Sequence, residues 1–186
     1  MGAILDIVGS LALRGVIVAL VINLMLTLRD AEYEKTSLAT TTQNLSTTAR
    51  IIEKDLKSAG FNLDTLATSA FLIADSNRVQ FLGALKDTSL YGYVDNIDIQ
   101  LANDPSGEIS SKVIARSING GLPLYIAKGQ ISMNIQYYDS AGTTTADLSK
   151  IQSVSVLLTQ KVAFAVTDTA SATLKKEIWV FPANLQ

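Results

Sequence analysis

Asp95, Asp98, Asp104 and Glu108 bring four carboxylates into one stretch of chain, and the chemistry open to them is the binding of a hard cation by oxygen ligands. Their spacing does not follow a calcium loop, which needs acidic ligands at alternating positions, a glycine at the sharp turn and a bidentate Glu at its end. Solvated turns account for them, and no metal ligand is expected. Nucleophilic and acid–base chemistry is narrowed further by what the chain lacks. It has no His and no Cys, which removes imidazole bases, thiolate nucleophiles and the usual zinc ligands. Ser and Thr are abundant, but a Ser nucleophile without His needs Lys or another activating base, and neither Ser-x-x-Lys nor a nucleophile elbow occurs. No catalytic residue and no cofactor is expected, so the chain reads as a non-enzyme. With 15 Lys and Arg against 17 Asp and Glu, the net charge is −2. No basic face for nucleic acid follows. Absence of Cys also leaves the fold independent of disulfides, compatible with a reducing or an oxidising compartment.

The dominant element is instead an apolar arm. From Ala3 to Leu28 the chain is almost uninterruptedly apolar and contains no Pro; between Ile7 and Leu28 the only strongly polar side chains are Arg14 and Asn23. That span is about the ~20 residues needed to cross a hydrocarbon core. A cleaved signal peptide would carry a basic leader before its apolar region and a small-residue cleavage site after it. Here no Lys or Arg precedes Ile4 and "TLRDAEYE" follows Leu26, so the arm is expected to be retained. Asp6 and Arg14 are costly inside lipid, from ~2.5 kcal/mol each at the bilayer centre. On one helix they stand about 12 Å apart along the axis and cannot bond directly. Either Asp6 sits at the headgroup level and Arg14 snorkels, or each meets a partner from a neighbouring subunit in a staggered bundle. Gly9, Ala12, Gly15 and Ala19 recur close to one side of the helix, where small residues let backbones approach, and Asn23 can act as interhelical glue or as a tolerated polar residue.

Beyond the arm, Leu38, Leu45, Ala49, Ile52, Leu56 and Ala59 recur at threes, fours and sevens, a stripe suited to packing on a sheet. Gly60 supplies a plausible C-cap. One helix through to this point would be roughly 85 to 90 Å long. The Thr-rich interval from Thr36 to Thr48 is poor helix material, so local fraying is expected there. Its Asn44-Leu45-Ser46 fits the N-glycosylation pattern, but so short a motif reads as a solvated helix face. After Phe61 the period changes to two. Val79 and Phe81, then Ile97, Ile99 and Leu101, then Ile131, Met133, Ile135 and Tyr137, then Val154, Val156 and Leu158, and finally Ile178 and Val180, alternate with other residues as half-buried antiparallel strands do. Turn chemistry separates them at Asp75-Ser76-Asn77, Asp104-Pro105-Ser106-Gly107, Asn119-Gly120-Gly121 and Asp139-Ser140-Ala141-Gly142. Seven or eight strands fit, as a meandering sheet against Leu45, Ile52 and Leu56, and the fold class is α+β. Three segments are expected: an apolar helix over 1–29, its amphipathic continuation over 30–60, and a β-rich head over 61–186.

The apolar arm with an acidic residue near its start, "TTARIIEKDLKSAGF" at the end of the helix, and the segments "ADSNRVQFLGAL", "QYYDSAGTTTADLSKIQSVSVLL" and "VFPANL" together resemble the type IV pilin-like superfamily, in particular the larger minor pilins and type II secretion pseudopilins. Family members carry a short basic leader ending in Gly, cut before Phe or Met, with Glu as the fifth mature residue. No such leader precedes the arm in the sequence as read, so the expectation is open between the usual peptidase cut with N-methylation and an unprocessed Met1 that starts the subunit. If Met1 alone is removed, Gly2 becomes the first residue and Asp6 stands where the family has its Glu.

The resemblance implies a structural subunit of a pilus-like bacterial filament or fimbrium. Such a subunit would be held in the inner membrane before assembly, handled by pilus or secretion machinery, and polymerised with itself through Asp6, Gly9, Ala12, Arg14, Gly15, Ala19 and Asn23 into a fibre on the cell surface. A minor pilin or pseudopilin is the alternative within the family, and a monotopic envelope protein that binds a partner as a monomer is the alternative outside it. Charge near the arm does not settle orientation, since only Arg29 and Lys35 lie just beyond it. The family resemblance alone puts the head outside the cytoplasm.

Overall fold

The computed structural model describes residues 2–63, 69–85, 94–164 and 171–182, with side chains from Val8 onward. Helix α1 runs Gly2–Lys57, 56 residues without a break, about 84 Å at 1.5 Å per residue. The Thr-rich interval does not fray. Thr36, Thr42, Thr47 and Thr48 each donate their hydroxyl to the carbonyl four residues earlier at 2.8–2.9 Å, so side chains that could compete with the helix backbone bond within it instead. Thr48 sits buried where the helix meets the head, and its hydroxyl also lies 3.1 Å from the carbonyl oxygen of Ile126.

The helix stops at Lys57 because the chain turns there. The Ser58 and Ala59 amides donate to the carbonyls of Asp55 and Leu56, and Gly60 takes φ 77°, a left-handed conformation that costs glycine little. Its amide then donates to Leu82 at 2.9 Å, and Ala59 forms an antiparallel bridge to Gly83. The approach is close enough that a Cβ on Gly83 would lie 2.2 Å from the Ser58 carbonyl oxygen.

Eight strands follow among the described residues: β1 Phe71–Ala74, β2 Arg78–Gly83, β3 Asp95–Asn103, β4 Lys112–Ile118, β5 Leu124–Gly129, β6 Ile131–Tyr138, β7 Ser153–Ala163 and β8 Ser171–Val180. The meander expected as one sheet is two: a five-stranded antiparallel sheet in the order β1-β2-β3-β4-β5 and a three-stranded one in the order β6-β7-β8. The break is local. Gly129 adopts φ 127°, and the carbonyl of the next residue, Gln130, accepts from the Lys161 amide at 2.9 Å, so the chain leaves β4 as its partner and takes up β7. The turns sit where their residue types suggest. Between β4 and β5, Asn119 and Gly120 take φ 53° and 68° while the Gly121 amide donates to Ile118, the two positive φ angles that suit a tight hairpin.

Both sheets and the helix share one core. Leu45, Ala49, Ile52, Leu56 and Ala59 pack with Phe71, Val79, Phe81, Ile97, Ile99 and Ile114 of the larger sheet and with Ile135, Val154, Val156, Leu158, Ile178 and Val180 of the smaller. Tyr137 joins it from β6, its hydroxyl donating to the Asp75 carbonyl at 3.0 Å, which ties the β1–β2 turn to the smaller sheet. The strand pattern breaks on β7, where four successive residues from Ser153 to Val156 are all buried. Val154 and Val156 face the core. Ser153 and Ser155 face the other way and are covered from outside, because Tyr138 pairs with Ser153 and Trp179 with Ser155 across the ladder, and the two rings meet over the strand with centroids 5.0 Å apart.

Candidate functional site

Among the described residues the buried face of α1 begins at Leu45, and residues 2–44 extend before it as about 65 Å of helix. The large apolar side chains of that projection are open to solvent, among them Leu11, Leu13, Val16, Leu20, Leu24, Met25 and Leu28. A helix apolar on every side belongs in lipid or among other helices. By length and composition this one can cross a membrane.

Gly9, Ala12, Arg14, Gly15, Ala19 and Asn23 all lie on this exposed arm. At 100° per residue, the small residues and Asn23 fall within an arc of about 120°, and Arg14 points away from it. A Cβ at Gly9 or Gly15 would meet nothing within 4 Å, so these glycines answer no need of the isolated chain. The Asp6 side chain lies outside the described residues. The arm therefore forms one strip with an open small-residue face and a separate cation.

The carboxylates singled out for cation chemistry go separate ways. Asp98 takes a bidentate pair from Arg78 at 3.1 and 2.9 Å, and Asp95 accepts from the Asn119 side chain at 2.9 Å. Glu108 is exposed. Asp104 is buried in its loop, where it accepts from the Ser106 amide at 2.9 Å, from Ser111 Oγ at 2.8 Å and from Lys128 Nζ at 3.0 Å. The Ser106 amide chiefly, with the Ser111 hydroxyl and Lys128 after it, holds its carboxyl well below the usual range against the opposing effect of burial. Among the described residues no three His, Cys, Asp or Glu side chains gather as metal ligands.

The polar feature that pattern reading missed is the clasp between helix and sheet. Asp55, 3 % exposed, lies in the last turn of α1 and is held by two hydrogen bonds from Arg116 on β4, one from Nε and one from Nη2 at 3.0 Å. The available signal was an acidic residue set inside the apolar stripe between Ile52 and Leu56.

No protein-family model and no curated protein matches the chain. A solved structure does: a type IV-like pilin from Thermus thermophilus aligns with TM-score 0.51 at 14 % identity, over 78 % of this chain and 97 % of that one. The fold is type IV pilin-like.

Proposed function

We propose that the chain is a structural subunit of a type IV pilus-like extracellular filament that polymerises through its N-terminal helix. The observation that carries this reading is the projecting arm, exposed and apolar all round, on a pilin-like head. Before assembly residues 1–29 lie in the inner membrane; afterwards the same residues form the filament core, residues 30–60 join core to head, and residues 61–186 decorate the outside. In the membrane, lipid is as apolar as another helix, so close packing of small residues favours association there. In the finished fibre the alternative environment is water, and each Leu, Ile or Val fully buried among neighbouring arms contributes about 1.5–3 kcal/mol. Gly9, Ala12, Gly15, Ala19 and Asn23 form the close-packed face, and Asp6 of one subunit meets Arg14 of the next to fix the axial stagger. Pilin-like folds typically serve structural roles, and no catalytic residue is assigned.

Replacing Asp6 with Ala tests both parts. The expected result is loss of sheared surface filaments with the subunit retained in the membrane fraction. Unchanged filament yield in Asp6→Ala removes the register role, and absence of filaments from cells expressing the unaltered chain with its assembly machinery removes the filament.

A further inference from the structure

The outward face of the β6-β7-β8 sheet carries an aromatic platform that the core does not use. Tyr138 and Trp179 meet with centroids 5.0 Å apart and planes 32° apart. Trp179 remains 46 % exposed, and Phe181, just beyond the end of β8, is 69 % exposed between the buried Val180 and Pro182, so it continues the outward alternation. The rings are held in place. Tyr138 Oη donates to Gln136 Oε1 at 2.8 Å, and the serines beneath leave no larger side chain to displace them. Around them the face offers hydrogen-bonding groups: the Gln136 and Asn134 amides on β6, and on β8 the Glu177 carboxylate, which accepts from Ser155 Oγ at 3.2 Å.

We propose that this platform binds neutral polysaccharide, with a pyranose ring stacked on Trp179 and Phe181 and its hydroxyls bonded to Gln136 and Glu177. The charge pattern suits an uncharged ligand rather than a polyanion. Glu177 beside Trp179 repels a polyanion such as nucleic acid, whereas the nearest cation on that side of β8, Lys175, is four residues along, about 13 Å away. A carboxylate and an amide flanking open aromatic faces suit sugar hydroxyls and apolar sugar C–H edges together, because the rings supply an apolar surface that is wet at its rim. The site is independent of the arm, so it stands whether or not the chain polymerises.

Trp179 is the only Trp, so its emission reports the site directly. Full-length protein in a detergent without a sugar headgroup is titrated separately with cellohexaose, chitohexaose, mannohexaose and single-stranded DNA. At least one neutral hexasaccharide is expected to shift the emission saturably, with half-saturation on the order of 1 mM for an open site. Phe181→Ala and Tyr138→Ala, which keep the reporter, are expected to weaken that binding up to about tenfold. Phe181→Ala removes an exposed ring and leaves the thermal midpoint unchanged, which separates lost binding from lost fold. No shift with any of the three sugars, a shift with DNA alone, or undiminished binding in both variants overturns the proposal.

Discussion

The Asp55–Arg116 clasp is the buried ion pair that joins the last turn of α1 to the larger sheet, and its two partners are not equivalent. The Asp55 side chain is 4 % exposed and the Arg116 side chain 16 %. Replacing Arg116 with Met leaves a carboxylate without its partner in the core, whereas Asp55→Asn removes the charge that was buried and leaves an Arg whose end can reach water. Removing one partner of a buried pair costs about 3–5 kcal/mol when the survivor stays buried and unpaired. That figure applies to Arg116→Met. For Asp55→Asn the loss is a charge-assisted hydrogen bond, about 1.5–3 kcal/mol. It is partly offset because a carboxylate in the last turn of a helix opposes the helix dipole, by about 0.3–1 kcal/mol. The net expectation is about 1–2 kcal/mol.

For a head of this size each kcal/mol shifts the thermal midpoint by roughly 3–6 °C. Arg116→Met should therefore lower it by about 10–30 °C and Asp55→Asn by about 3–12 °C. Thermal melts of the full-length protein in detergent, followed by near-ultraviolet circular dichroism of the head aromatics, read this without interference from the arm. The double replacement Asp55→Leu with Arg116→Met should recover most of the loss, since a buried pair exchanged for apolar side chains of similar volume is often close to neutral. If the two single variants melt together, or if Arg116→Met melts within a few degrees of the unaltered protein, burial is not what makes this pair matter.

Asp104→Asn should destabilise the head at neutral pH. A carboxyl held below its ordinary value contributes stability that is fully present above the unfolded pKa, about 3.9, and is lost as pH falls through the folded one. The gap between variant and parent, measured as denaturant midpoints, should be constant down to about pH 4 and narrow below it; a gap independent of pH would refute the ionic account. Tyr137 is held above its ordinary value, first by burial and then by Asp75, so its stability contribution is present below the unfolded pKa of about 10 and fades as pH rises beyond it. Tyr137→Phe should cost about 1 kcal/mol at neutral pH through the Asp75 carbonyl it leaves without this donor, and should lose less stability than the parent above about pH 10; parallel alkaline curves would contradict this. Gly83→Ala should cost about 1–3 kcal/mol, because its Cβ would stand 2.2 Å from the Ser58 carbonyl oxygen and backbone on one side must move. An unchanged urea midpoint would show that the helix exit gives way freely.

These costs fall where one residue answers to another far along the chain, which is also where sequence pattern stops being informative. Period and turn chemistry are local, and what depends on them is legible: the helix, the alternating strands from Val79 to Val180, and the hairpin at Asn119-Gly120 with its two positive φ angles. The Thr segment misleads because propensity ranks residues singly, whereas Thr48 is held by burial against the head and by a hydroxyl shared between Asn44 and Ile126. One sheet becomes two at Gly129, and nothing in an alternating pattern distinguishes a strand that continues a meander from one that changes partners. Ser153 and Ser155 read as solvent-facing because they alternate with Val154 and Val156; they are buried because Tyr138 and Trp179, which come from the two flanking strands, close over them.

Asp55 belongs to the same class, an acid in an apolar stripe whose reason stands sixty-one residues away at Arg116. The arm is the opposite case. Its chemistry is complete within consecutive residues, so its character is plain from the sequence, while the partners that would cover it belong to other molecules. Among the described residues the core of the head takes in none of the arm's projecting apolar side chains, since it begins at Leu45. Selection for folding of the monomer therefore gives no reason to keep Leu11, Val16 or Leu24 apolar, and the reason must lie in what surrounds the arm.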